Sequence, residues 1–182
     1  MNEKIIVLDR DGVINYDSDA FIKSADEWIP VDGSLEAIAR LKSAGWRVAV
    51  ATNQSGIRRG YYSRATLSAM HLKMRIGLRE LGCEGIDWIS FSPYLSNDNS
   101  PSRKPNTGML QSIEKALNVS LEGKPMVGDT LGDLQAARNH GMHPYLVKTG
   151  KGMKTLKAQP EFLESVPVFE NLAQLVDHLL CK

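Results

Sequence analysis

Apolar residues along this chain come in short runs separated by stretches of helical periodicity, and most runs end on polar residues. Ile5–Leu8 is an unbroken apolar run, the pattern of a strand buried on both faces. Residues 15–32 are irregular, with Asn15, Asp17 and Asp19 polar and Phe21 and Trp28 as apolar anchors. Residues 34–44 predict a helix with Leu35, Ile38, Ala39 and Leu41 on one face and Gly45 as its stop. Trp46–Ala51 reads as a second strand, and residues 57–62 as a basic and aromatic loop. Ser63 is placed to cap a long helix carrying Leu67, Met70, Met74, Leu78 and Leu81, closed by Gly82. A third run, Trp88–Phe91, leads into a Pro-, Ser- and Asn-rich loop at 92–102. Helices are predicted at 107–117, from about 131 to His140, and at 171–180, with strands at Pro125–Val127, Pro144–Val147 and Val166–Phe169.

Strands alternating with helices predict an α/β fold, a doubly wound and mostly parallel sheet covered on both faces. No repeat, low-complexity tract or linker divides residues 1–182, so a single domain is expected. Ligands in such folds bind outside the carboxyl ends of the strands. Four polar clusters follow apolar runs or the loops leaving them: Asp9/Asp11, Thr52/Asn53, Arg103/Lys104 and Asp129/Asp133. They are therefore expected on one rim.

Composition narrows the possibilities. With 182 residues, 42% hydrophobic and 24% charged, the chain is long enough to bury a real core. A formal net charge of +1 argues against bulk nucleic acid or an acidic membrane as partner. Cys83 and Cys181 are too few for a disulfide framework and fit a reducing compartment. No signal-peptide pattern opens the chain, and no apolar run approaches the roughly 20 residues that span a bilayer. A cytoplasmic protein without a membrane or nucleic-acid partner is the expectation.

On extended backbone, Asp9 and Asp11 point to the same side, and Gly12 lets the chain turn behind them. Two neighbouring carboxylates do not titrate independently, which suits one as nucleophile or metal ligand and the other as proton donor. Taken alone, Asp-x-Asp-Gly after a strand is equally a polar turn. The downstream clusters add carboxylates, a hydroxyl and a lysine, without histidine or cysteine. That set suits a hard cation such as Mg2+ and an anionic substrate, as phosphoryl transfer requires. No GxxxxGK[ST] occurs, which disfavours an ATP cradle.

The four clusters, in order, resemble the motifs of the haloacid dehalogenase-like phosphatases, with Asp9-Arg10-Asp11-Gly12-Val13-Ile14-Asn15 as the first. Thr52-Asn53-Gln54-Ser55-Gly56-Ile57 with Arg59-Gly60, then Arg103-Lys104-Pro105 with Gly108-Met109, resemble the branch of heptose 1,7-bisphosphate phosphatases and their histidinol-phosphatase relatives. Gly128-Asp129 with Asp133 matches the fourth motif. The resemblance spans residues 5 to about 133 and draws little from beyond about 150. It implies a Rossmann-like sheet of haloacid dehalogenase type and hydrolysis of a small sugar phosphate for lipopolysaccharide or surface glycans. In that reading Asp9 is the nucleophile and a magnesium ligand. Asp11 protonates the leaving oxygen, later activates water, and offers its backbone carbonyl to the metal. Thr52 and Lys104 hold the phosphoryl group, Asp129 completes the metal site, and Asp133 orients it. Arg103 would recognise a second phosphate; Asp17, Asn53, Gln54, Ser55 and Arg59 are further substrate contacts. Arg58 reads as a solvated loop residue, and His71, His140, His143 and His178 as surface or packing residues.

One departure from the branch stands out. Many relatives carry zinc ligands in the pattern Cys-Pro-His and then Cys-x-Cys, whereas this chain has Ser92-Pro93-Tyr94 and Ser100-Pro101-Ser102. No structural zinc is expected, and prolines and packing are expected to order the loop. The segments between Asp11, Thr52 and Lys104 are filled by predicted core elements, leaving no room for a separate cap domain. Loops 15–32 and 92–102 should then shape the pocket, and a monomer is expected. Hydrolysis of histidinol phosphate or a nucleic-acid 3′-phosphate, and phosphate binding without catalysis, are the rival readings.

Overall fold

The first strand is buried completely, and its alternate side chains feed two different layers. A computed structural model describes residues 3–158 and 160–181. In it β1 (Ile5–Leu8) sends Ile6 and Leu8 to one face of the sheet and Ile5 and Val7 to the other. The first face is covered by α1 (Ser34–Ser43), α2 (Arg64–Glu80) and α7 (Leu172–Leu180), through Ile38, Leu41, Met70, Met74 and Leu175. The second is covered by α3 (Gly108–Leu117) and α4 (Leu131–Asn139), through Met109, Leu110, Ile113, Ala136 and Ala137. Period-two alternation in a strand thus builds both walls of a doubly wound sheet.

The sheet continues through β2 (Arg47–Asn53), β3 (Trp88–Ser92), β4 (Pro125–Gly128), β5 (His143–Val147) and β6 (Val168–Phe169). Their spatial order is β3-β2-β1-β4-β5-β6, and every neighbouring pair is parallel. The order reverses between β1 and β4, where the crossovers diverge to opposite faces and leave a crevice at the carboxyl ends. Asp9 follows β1 and Asp129 follows β4, so the topology brings them together at this crevice.

Local chemistry sets the boundaries. Ser63 caps α2 by accepting from the Thr66 backbone N–H, as its position predicts. Thr130 and Asp133 form a reciprocal capping box at the start of α4. Some expectations shift. β2 runs past Ala51, so Thr52 and Asn53 remain in the strand, opposite Phe91 and Ser92. Leu81 does not join the buried stripe of α2, because the helix ends at Glu80 and Leu81 caps it at 43% exposure. The sixth strand shortens from the predicted 166–169 to Val168–Phe169.

Two short helices, α5 (Gly152–Ala158) and α6 (Pro160–Leu163), have no counterpart in the predicted elements. Their apolar residues are too sparse for a periodic stripe. They nevertheless close a satellite core of Leu134, Leu146, Leu163 and Val166. Among the described residues, no helix is long and apolar enough to cross a membrane.

Leu134 is fully buried where α4, β5 and the α6 end meet. Leu134→Ala should lower unfolding free energy by about 2–4 kcal/mol, by transfer and cavity costs together. Leu72→Ala, at a position 54% exposed, should stay within about 0.5 kcal/mol. Urea denaturation of both variants checks the contrast.

Candidate active site

The site is built around one buried ammonium. Lys104 is 4% exposed, and its Nζ lies 2.9 Å from Asp9 Oδ1, 2.6 Å from Asp133 Oδ1 and 2.6 Å from the Ala51 carbonyl oxygen. These partners can use all three of its protons. Asn53 fixes the lysine's backbone on both sides, accepting from Lys104 N at 3.1 Å and donating to Lys104 O at 3.2 Å. Burial alone would favour the neutral amine, but Asp133 and Asp9 hold the group protonated, with its pKa above the usual lysine value.

One cation does not balance the carboxylates around it. Asp9, Asp129 and Asp133 each offer an oxygen, all within 4.8 Å of one another. Burial and the facing Asp133 push the Asp9 carboxyl up to about 7, against the pull of Lys104. Burial, then Asp9 and Asp133, raise Asp129 well above the carboxylate range. Asp133 Oδ2 accepts from Thr130 N at 3.0 Å and Thr130 Oγ1 at 2.6 Å, while its buried Oδ1 makes no hydrogen bond and, among the described residues, is met only by the Lys104 ammonium at 2.6 Å. Asp129 Oδ1 is likewise buried with no hydrogen-bond partner and, among the described residues, has no ion pair either. A surplus of close carboxylate charge and an unpartnered buried oxygen fit a small divalent cation with oxygen ligands, and Mg2+ above others.

Asp11 has a different environment from Asp9. Its Oδ1 accepts from Arg10 Nε at 3.1 Å, Arg10 Nη2 at 2.8 Å and Asn15 Nδ2 at 2.8 Å. Its Oδ2 accepts from Gln54 Nε2 at 2.8 Å. Burial would raise its pKa, but the Arg10 guanidinium and these hydrogen bonds hold the carboxyl below its ordinary value. Arg10 is itself wholly buried, with Nη1 against Met70 Sδ at 3.5 Å and His71 Nε2 at 3.4 Å. Since arginine only donates, neutral His71 accepts here. Burial, and then Arg10, lower the His71 pKa to about 4.

The remaining predicted residues separate by role. A cavity of about 360 Å3 is lined by Asp9, Asp11, Asp17, Asn53, Gln54, Ser55, Arg59, Arg103, Lys104 and Asp129. Thr52 lies behind this wall at 1% exposure, its hydroxyl accepting from Gln54 Nε2 at 2.9 Å. Gln54 in turn accepts from the Tyr62 hydroxyl at 2.5 Å. Arg103 donates to the Tyr94 carbonyl at 2.9 Å, and burial, then the nearby Arg59, lower its pKa. Arg59 sits over the Phe21 ring at 5.7 Å. Two neighbouring guanidiniums therefore line the same cavity as the carboxylates. Sequence reasoning passed over Arg10, Tyr62 and the partner role of His71. The available signal was an arginine between two aspartates at the end of a buried strand.

A family model described as HAD-hyrolase-like matches residues 101–175. A D-glycero-beta-D-manno-heptose-1,7-bisphosphate 7-phosphatase of Pseudomonas putida is 51% identical over 97% of this chain and 99% of its own. The enzyme of the same name from Bordetella bronchiseptica is 51% identical over 97% of this chain and 98% of its own. The chain belongs to the haloacid dehalogenase-like phosphatases. A crystal structure of the B. bronchiseptica D,D-heptose 1,7-bisphosphate phosphatase, complexed with magnesium and phosphate, matches with a TM-score of 0.93. Its identity is 50%, covering 98% of each chain.

Within this family the loop at 92–102 is ordered here by hydroxyl groups. Ser102 Oγ lies 3.0 Å from both Ser92 Oγ and Ser100 Oγ, and Ser102 N donates to Ser100 Oγ at 3.3 Å. Asn106 Nδ2 ties the same turn through the Ser100 carbonyl at 2.9 Å. Hydrogen bonds therefore order the loop, where prolines and packing were the expected means. Tyr94 stands outside the hydroxyl cluster with its side chain 41% exposed.

The His71–Arg10 contact carries a pH dependence. An unfolded chain protonates His71 near 6.5, while the folded protein does so only near 4. The unfolded state binds the extra proton between these values, so stability falls as pH drops from 6.5 towards 4. The loss should reach at most roughly 3 kcal/mol. His71→Gln keeps an acceptor for Arg10 and should flatten this component. Denaturation midpoints of both proteins from pH 4 to 7 give the difference curve.

Proposed function

We propose that this protein is a magnesium-dependent phosphatase that removes the 7-phosphate of D-glycero-D-manno-heptose 1,7-bisphosphate through an aspartyl-phosphate on Asp9. The observation that carries the reading is one cavity lined both by Asp9 and Asp129, whose Oδ1 is unpartnered, and by the guanidinium residues Arg59 and Arg103. Such a lining suits a ligand with two phosphates, and the relatives' names supply the sugar. A histidinol phosphate would instead bring an ammonium towards two guanidiniums, which is unfavourable. The modest cavity and net charge of +1 favour a small molecule over a nucleic-acid terminus.

Asp9 and Asp129 side chains, with the Asp11 backbone carbonyl, would hold the magnesium, which supplies positive charge to neutralise the phosphoryl oxygens. Lys104 adds a fixed positive charge on the other side of Asp9. An Asp9 carboxylate oxygen attacks phosphorus, and the bond from phosphorus to the sugar oxygen breaks. Asp11 delivers a proton to that oxygen after its carboxyl turns off Arg10 towards the phosphate. There the incoming negative charge favours its protonated form. In the second half, Asp11 takes a proton from water, the water oxygen attacks phosphorus, and the bond to Asp9 breaks to release inorganic phosphate. Thr52 acts from behind the wall by orienting Gln54, and Gln54 orients Asp11. Asn53 orients Lys104, and Asp17 and Ser55 face the sugar. The enzyme would work as a single-domain monomer in the cytoplasm, without membrane or nucleic-acid partner, its cavity lined from loop 15–32 in place of a cap domain, while loop 92–102, expected to shape it too, acts only through its hold on Arg103.

Phosphate release with magnesium, from both anomers of heptose 1,7-bisphosphate, histidinol phosphate and a 3′-phosphorylated oligonucleotide, tests the proposal. A strong preference for one heptose anomer with loss of only the 7-phosphate is expected. Asp9→Asn should reduce turnover by at least about 10^3-fold, and chelation of magnesium should abolish it. Preference for another of these substrates would overturn the assignment.

Arg103→Ala should raise KM for the bisphosphate by roughly 10- to 100-fold, the scale of one charge-assisted contact. It should barely change hydrolysis of a generic aryl phosphate, which has no second anionic group. Steady-state kinetics on both compounds gives the comparison.

A further inference from the structure

The segment leaving β5 is fastened to Asp129 and to the turn at Gly12 by three hydrogen bonds. Thr149 Oγ1 donates to the Gly12 carbonyl at 2.6 Å. The Lys151 backbone N–H donates to Asp129 Oδ2 at 2.7 Å, and Thr155 Oγ1 donates to the Asp129 carbonyl at 2.7 Å. Gly150 between them has a φ of 58°, and a Cβ there would overlap both Asp129 Oδ2 and Gly12 Cα. Only glycine allows this approach. Residues 149–155 thus form a strap whose backbone holds the side chain of Asp129.

From the middle of the strap the Lys151 side chain reaches the opposite rim. Its Nζ lies 3.1 Å from Asp17 Oδ2 and 3.8 Å from Asp19 Oδ1. Asp17 is otherwise bound locally, to the Ser18 N–H at 2.8 Å. Lys151 lines the same cavity as Asp17, Asp19 and Phe21. One residue therefore touches the metal-site carboxylate through its backbone and the substrate loop through its side chain.

We propose that Lys151 is a positioning residue that latches the Asp17–Asp19 loop to the Asp129 strap and so sets the enzyme's grip on the sugar part of its substrate. The latch is a half-exposed ion pair, 45% exposed at the lysine, so its strength is modest. Its effect comes from closing the Asp17–Asp19 end of a loop whose other anchors, Ile22, Trp28 and the Lys73–Ala25 hydrogen bond, lie beyond that end. The consequence for KM rests on the proposed phosphatase reading; the latch itself does not.

Two readouts keep these apart. Loop closure is read by trypsin cleavage after Lys23, an exposed residue in the same loop, in the magnesium-loaded protein. Lys151→Met should accelerate this cleavage about fivefold, the factor for a pair worth about 1 kcal/mol, and Lys151→Arg should restore protection. Magnesium binding by calorimetry should be unchanged in both variants, since the backbone N–H to Asp129 remains. With heptose 1,7-bisphosphate, Lys151→Met should raise KM by a similar factor while kcat holds, and Lys151→Arg should recover it. A wild-type protein inactive on this substrate, with the cleavage difference intact, would remove the phosphatase reading and leave the latch standing. Unchanged cleavage after Lys23 in Lys151→Met overturns the latch, and a fall in kcat at constant KM overturns its role in gripping the substrate.

Discussion

The rest of the molecule depends on one electrostatic constraint: a buried lysine facing more carboxylate than it can neutralise. Lys104 meets Asp9 and Asp133 directly, and Asp129 completes a cluster with oxygens within 4.8 Å of one another. Bringing such charges out of water is costly unless they are paired and held in good geometry. The fold supplies that geometry from separate elements. β1 and β4 deliver Asp9 and Asp129 at the point where the strand order reverses, and the cap of α4 holds Asp133. Asn53, at the end of β2, clamps the backbone of Lys104. The charge left over is what makes the site receptive to magnesium and, through it, to a phosphoryl group.

A second constraint keeps two nearby carboxylates chemically distinct. Asp9 is buried and faces like charge from Asp133, and its affinity for a proton rises against the pull of Lys104. Asp11, two residues on, has its own counter-ion in Arg10, and its affinity falls. Sequence spacing alone predicts that such a pair separates, but not which member goes which way. The answer depends on Arg10, whose buried side chain is in turn packed by Met70 and His71 from α2. A helix that reads in the sequence as plain sheet cover therefore supports, through Arg10, the Asp11 carboxylate.

What the sequence made legible was whatever repeats with the period of an element. Ile5–Leu8, the α2 stripe and the face of α3 are strong patterns, and the clusters that follow the strands converge as the parallel topology requires. Three things were not legible, each for a physical reason. α5 and α6 lack an apolar stripe, because they cover a small satellite core with few side chains. Thr52 and Asn53 look like loop residues, but continued pairing with β3 keeps both in the strand, with Thr52 buried behind the cavity wall and Asn53 lining the cavity while it clamps Lys104. The strap at 149–155 acts through backbone N–H groups and threonine hydroxyls, which carry no distinctive charge or hydropathy pattern.

The serine cluster of loop 92–102 separates the means of ordering a loop from the chemistry the loop serves. Ser92, Ser100 and Ser102 bond to one another at 3.0 Å, and the turn they brace leads directly into Arg103 and Lys104. A hydrogen-bonded cluster needs no thiolates and no ion, so its order depends on neither redox state nor zinc supply. It also leaves the carbonyl of Tyr94 free to hold Arg103 from outside the cluster. The two consecutive residues that follow the turn have different settings: Lys104 is buried against Asp9 and Asp133, while Arg103 lines the cavity beside Arg59. In the proposed function, reaction type rests with groups at the ends of buried strands, where burial fixes their geometry. Substrate choice would then rest with cations on loops, where the frame can vary without disturbing the lysine at its base.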